Sequence, residues 1–194
     1  MLTVCPQIPS AVARRPRALR LVAATALLAL LSACAATVQR PAGVPEEPVV
    51  FGGDVRQVVL VVEGSDTARA SDDWSRFRAL WDEAIRNATS AAGMQGSVRD
   101  SQPATLDPPG VVVVLRVDSY RYVSTGARIG LGVMTGNAYI KASAQFVKQP
   151  GGRVVATRSY DTTSSAWQGV FAPMTPKQVQ AIADRIVAEV RAGS

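Results

Sequence analysis

The residues able to do chemistry in this chain are few, and Cys34 is the one whose neighbours constrain it most. It follows Leu31-Ser32-Ala33, which closes an apolar run from Leu21 to Leu31, and that run follows Arg14, Arg15, Arg17 and Arg20. Basic, then apolar, then small is the order of a secretory signal peptide. A transmembrane helix is the other reading of an apolar run, but Leu21 to Ala33 is thirteen residues, whereas a bilayer span takes about 17–25. The sequence contains no histidine. Ser-His-Asp and Cys-His catalysis and histidine-bearing zinc sites are therefore excluded. Carboxylates remain, but Asp72-Asp73 and Asp82-Glu83 read as a helix start and a solvated helix face. No catalytic residue, no metal site and no cofactor is assigned, and the chain is read as a non-enzyme.

The tetrapeptide Leu31-Ser32-Ala33-Cys34 resembles the lipobox of bacterial lipoproteins. The resemblance implies that the Cys34 sulfur is acylated and that Cys34 becomes the first residue of the mature chain. Residues 1–33 are then a lipoprotein signal peptide, and palmitate is among the acyl groups expected on the mature protein. The whole chain has 21 Lys+Arg against 15 Asp+Glu. Removing the four leader arginines leaves 17 basic residues against 15 acidic ones, so the strongly basic balance belongs to the leader. A nucleic-acid partner is therefore excluded. Cys5 leaves with the leader, and an acylated Cys34 has no partner for a disulfide within the chain.

Residues 34–49 are read as the lipidated cysteine and a flexible tether. Pro41, Gly43, Pro45, Glu46, Glu47 and Pro48 offer little apolar surface to bury. Such a stretch could hold a domain a few nanometres from the membrane. Residues 50–194 form one α+β domain. Val58 to Val62 is a β-branched run read as a strand buried on both faces. Ser71-Asp72-Asp73 caps a helix in which Trp74, Phe77, Trp81, Ala84, Ile85 and Ala88 recur at spacings of three and four, ending near Gly93. That aromatic stripe could be a glycan or peptide platform, but its helical period on one face makes it core.

Val111 to Leu115 opens a second strand that continues by alternation, with Arg116, Asp118, Tyr120 and Tyr122 on one face. Asn137 to Lys148 and Val154 to Asp161 form a hairpin about Gln149-Pro150-Gly151-Gly152. The final helix starts at Thr175-Pro176, with Gln178 placed for a capping box and Val179, Ile182, Ala183, Ile186, Val187 and Val190 in one stripe. Lys177, Asp184, Arg185, Glu189 and Arg191 fall on its polar side. The order β-α-β-β-β-α predicts a largely antiparallel four-stranded sheet with two helices packed on one face.

Gly126, Gly130, Gly132 and Gly136 punctuate the segment between the second and third strands. A dinucleotide fingerprint would need glycine where Thr135 stands, and no Gly-Lys-Ser/Thr follows, so nucleotide binding is not assigned. Ile129, Leu131 and Met134 instead make a candidate interaction loop for another subunit or lipid, since Arg128 is its one charge. With the lipobox, this loop, the strand after it, the Pro150-Gly151-Gly152 turn and the last helix resemble a family of small Gram-negative lipoproteins defined by a domain of unknown function. The likeness covers roughly Val111 to Arg191. It implies an envelope lipoprotein with an α+β domain distantly similar to periplasmic domains of secretion and assembly lipoproteins, and it carries over no functional residue.

Two functions follow as expectations. One is a lipid-anchored, non-catalytic interaction or assembly module whose partners are the membrane and another envelope protein. Ala35 after the cysteine, in place of aspartate, points to the periplasmic side of the outer membrane. The other is a binding protein for a small envelope ligand, a lipid or glycan fragment, held between the sheet and the glycine-rich loop.

Overall fold

In the computed structural model, residues 38–39, 48–122, 137–163 and 174–194 are described, and all belong to the unit Ala35–Ser194. The strands are β1 Val38–Gln39, β2 Gln57–Gly64, β3 Gln95–Arg99, β4 Gly110–Arg121, β5 Tyr139–Lys148 and β6 Arg153–Thr163. The helices are α1 Asp66–Arg69, α2 Trp74–Ala91 and α3 Met174–Ala192. The class is α+β, as expected, but the sheet has six strands in the order β1-β6-β5-β4-β2-β3. Among the described residues, no helix is long and apolar enough to cross a membrane.

The expected four-stranded, largely antiparallel sheet is corrected on two counts. β2 pairs in parallel with both β3 and β4, Leu60 lying opposite Val98 on one side and Val113 on the other. The physical reason was present in the composition. Strands buried on both faces read as unbroken apolar runs rich in Val, Ile and Leu, which is the pattern of parallel strands, and Val58 to Val62 and Val111 to Leu115 are such runs. Two strands were also unforeseen. β3 is a short edge with Val98 as its one large apolar residue, and β1 pairs antiparallel with β6, Val38 opposite Thr162 and Gln39 opposite Asp161. β1 thus lies inside the stretch read as a tether.

Both long helices cover one face of the sheet. Phe77, Trp81, Ala84, Ile85 and Ala88 of α2 and Val179, Ile182, Ala183, Ile186, Val187 and Val190 of α3 share a core with Val58, Leu60, Val113, Leu115, Ile140 and Phe146. The aromatic stripe of α2 is therefore core, as its period required. On the opposite face Val59, Val61, Val112, Val114 and Val147 form a smaller buried cluster under Leu106.

Three local expectations change. The Asp73 side chain makes no cap; its Oδ1 accepts instead from Arg76 Nη1 at 2.9 Å. Gln178 does not reach back along its helix: it is buried, and its Nε2 donates to the Ala138 carbonyl at 2.9 Å, tying α3 to the start of β5. Glu189, assigned to the polar side of α3, is buried. Its carboxylate lies 3.2 Å from Arg158 Nε of β6 and 3.0 Å from Arg185 Nε.

The alternation of β4 is also broken. A register shift between Val117 and Ser119 leaves Asp118 as the extra residue of a bulge. A one-residue slip moves every later side chain to the other face. Tyr120 therefore joins the core side rather than the face of Arg116 and Asp118, stacking on Phe77 with ring centroids 4.1 Å apart and planes 17° apart. Burial pushes the Tyr120 hydroxyl above the usual phenol range; the Ser71 side chain opposes this and the Asp73 charge adds to it. A pKa higher in the folded chain than in the unfolded one means that stability falls as pH rises from about 10 through the folded value. Urea midpoints measured from neutral to strongly alkaline pH should fall less steeply in Tyr120→Phe than in the parent. Identical slopes would remove Tyr120 from the alkaline transition.

Candidate functional site

The residues singled out by sequence, Leu31, Ser32, Ala33 and Cys34 at the signal and Ile129, Leu131 and Met134 in the glycine-rich segment, lie outside the described residues. The described residues do fix where that segment leaves and rejoins the sheet. β4 runs to Arg121, which pairs with Tyr139 at the start of β5, so residues 123–136 connect neighbouring strands at one end of the sheet. Thr163 closes β6 opposite Tyr139, and Met174 contacts Ala138. Residues 164–173 therefore depart from and return to the same end.

The parallel strands β2 and β4 also finish at this end, Gly64 pairing with Val117. Ligands of parallel sheets collect beyond the carboxyl ends of the strands, where the chain turns away and leaves a crevice. A cavity of about 670 Å³ lies there, lined by Val62, Glu63, Gly64, Ser65, Asp66, Arg69, Trp74, Arg78, Asp100 and Arg116. Ser65 shapes its floor: its N–H donates to the Val117 carbonyl at 2.9 Å, its hydroxyl donates to the Asp118 carbonyl at 2.8 Å, and its Oγ accepts from the Ala68 N–H at 3.1 Å, capping α1. Together these bonds anchor the turn after β2 to the bulge of β4.

Each guanidinium of the cleft has a carboxylate beside it. Arg69 pairs with Asp66 at 2.5 Å, Arg78 pairs with Asp100, and Arg116 Nε stands 3.9 Å from Asp118. These pairs are exposed, so each adds little to stability. The cleft thus sets planar guanidinium forks and carboxylates beside one indole, that of Trp74. Among the described residues no group of three or more metal-ligating side chains is gathered.

Glycine at 64 sets the cleft's shape. A Cβ there would stand 2.8 Å from Trp74 Cη2 and 2.9 Å from Arg69 Cγ. Gly64→Val should displace the Trp74 ring at a cost of about 1–3 kcal/mol, seen as a changed tryptophan emission and a lower urea midpoint. Unchanged emission and stability would show that the cleft wall yields freely. A second hollow of about 540 Å³ lies between α2 and α3, lined by Ala88, Ala91, Ala92, Val187, Ala188 and Ala192 with Asp184 and Arg191.

The cleft is not visible in the sequence because its residues come from β2, from β4, from the turn after β3, and from α1 and α2. The one available signal was the pair of unbroken apolar, valine-rich runs, 58–62 and 111–115, which predicts parallel strands and hence a crevice at their carboxyl ends.

No protein-family model matches the chain, and no curated protein does. Solved structures similar to it include the PelC dodecamer from Paraburkholderia phytofirmans, at 13% identity over 80% of this chain and 97% of that one, TM-score 0.44. A Xanthomonas campestris protein of DUF330 is similar at 12% identity over 81% of this chain and 94% of that one, TM-score 0.42. A minor lipoprotein from Acinetobacter baumannii is similar at 12% identity over 71% of this chain and 93% of that one, TM-score 0.35.

Proposed function

We propose that this chain is a lipid-anchored, non-catalytic module of the bacterial envelope that acts by contact with another envelope protein at the periplasmic face of the outer membrane. The observation that carries the reading is Leu31-Ser32-Ala33-Cys34, placed behind four arginines and an apolar run. A signal of this type removes the leader and leaves a modified cysteine at the new N-terminus, and Ala35 beside it favours the outer membrane. The sequence has no histidine, so the reading does not call on histidine-based catalysis. Ile129, Leu131 and Met134, in a segment with Arg128 as its one charge, supply the contact.

In-cell photo-crosslinking from position 129 should give an adduct of defined mass, lost when Leu131→Asp and Met134→Asp are added to the same chain and it still reaches the membrane. No adduct from position 129, or an adduct unchanged by the two substitutions, would contradict the contact.

A second reading is favoured by the cleft. Its volume of about 670 Å³ falls in the range of small-ligand sites, about 300–1,000 Å³. A carrier of a small polar ligand should copurify with it, visible as an added mass in native mass spectrometry that Gly64→Val removes.

A further inference from the structure

We propose that the folded domain rests directly on the bilayer, standing on the end of the sheet where β1 enters, instead of hanging from a long tether. The proposal depends on the reading of Cys34 as the anchored residue. Its first support is the register of β1. Val38 is already paired with Thr162, and Val38 is four residues after Cys34. An extended chain advances at most about 3.6 Å per residue, so the four residues from Cys34 to Val38 can reach no more than about 14 Å from Val38. The proline-rich residues 41–48 follow β1 in the sequence and so add no reach between lipid and sheet.

The second support is what this end presents. Arg121 and Lys141 are exposed there and Tyr122 and Tyr139 half-buried, with the Arg76 guanidinium 5.7 Å from the Tyr122 ring centre. Tyrosines and basic side chains together are the set that settles at a membrane–water boundary, ring in the interface and cation toward lipid phosphate. The opposite end is the turn after β5. Arg153 stands nine residue steps before Thr162 in β6, about 30 Å at 3.3 Å per residue, which sets that turn well clear of the lipid.

The test uses the full-length acylated protein in vesicles of phosphatidylethanolamine and phosphatidylglycerol carrying a nitroxide-labelled lipid. A fluorescent label is placed at Lys141→Cys or at Arg153→Cys, both exposed positions, with circular dichroism to confirm folding of each. Quenching several-fold stronger at 141 than at 153 is the expected result. Equal or reversed quenching in protein that is vesicle-bound and acylated would overturn the orientation while leaving the anchor intact. Protein that is neither acylated nor bound would overturn the anchor and the orientation with it.

Discussion

Trp81→Ala should lower the folding free energy by about 3–5 kcal/mol, the cost of emptying a large aromatic site in a core that closes only partly. Trp81 is fully buried between α2 and the sheet, and it meets Phe77 edge-to-face at 6.0 Å and 83°. The same site makes a sharper comparison available. The indole Nε1 is buried with no hydrogen-bond partner among the described residues, so the polar atom costs desolvation and returns nothing there. Trp81→Phe keeps most of the packing and removes that atom, and should cost far less than Trp81→Ala. Urea denaturation of the two variants decides it. Equal losses would mean that the N–H is satisfied and that the ring is not the main contribution.

Glu189→Leu should be comparably severe, about 3–5 kcal/mol, because it strips the counter-charge from a cation held in the protein interior. The Arg158 and Glu189 side chains are each about 9% exposed and 3.2 Å apart. They join β6 to α3 at the point where Arg158 pairs with Ala144 of β5. Replacing both partners is a different experiment from replacing one. Arg158→Met with Glu189→Leu removes two desolvated charges together and should recover most of the loss. A double variant as unstable as the single one would show that the ion pair itself, and not the orphaned charge, holds the strand to the helix.

The sequence readings that held were those set by one strong local signal. The stripes of α2 and α3 repeat at helical spacing and bury as that spacing requires, and the β5–β6 hairpin closes through Gly151 and Gly152, both at positive φ. What escaped depended on neighbours far along the chain. β3 carries little apolar pattern because an edge strand buries little. The Asp118 bulge reversed Tyr120 because alternation cannot reveal where a register slips. Glu189 looked solvated because its partner Arg158 comes from another element. For the site, the division is sharper. The proposed anchor is read from four consecutive residues, Leu31 to Cys34, whereas the cleft exists only once β2, β3 and β4 are known to run in parallel.

The measurement that bears most directly on the account is metabolic labelling with palmitate in cells producing the full chain or its Cys34→Ser variant, followed by separation of the two membranes. The account predicts label on the parent alone, recovered with the outer membrane, and an unlabelled Cys34→Ser protein. Absence of label on both would contradict the lipid anchor, and with it the role proposed at the membrane surface.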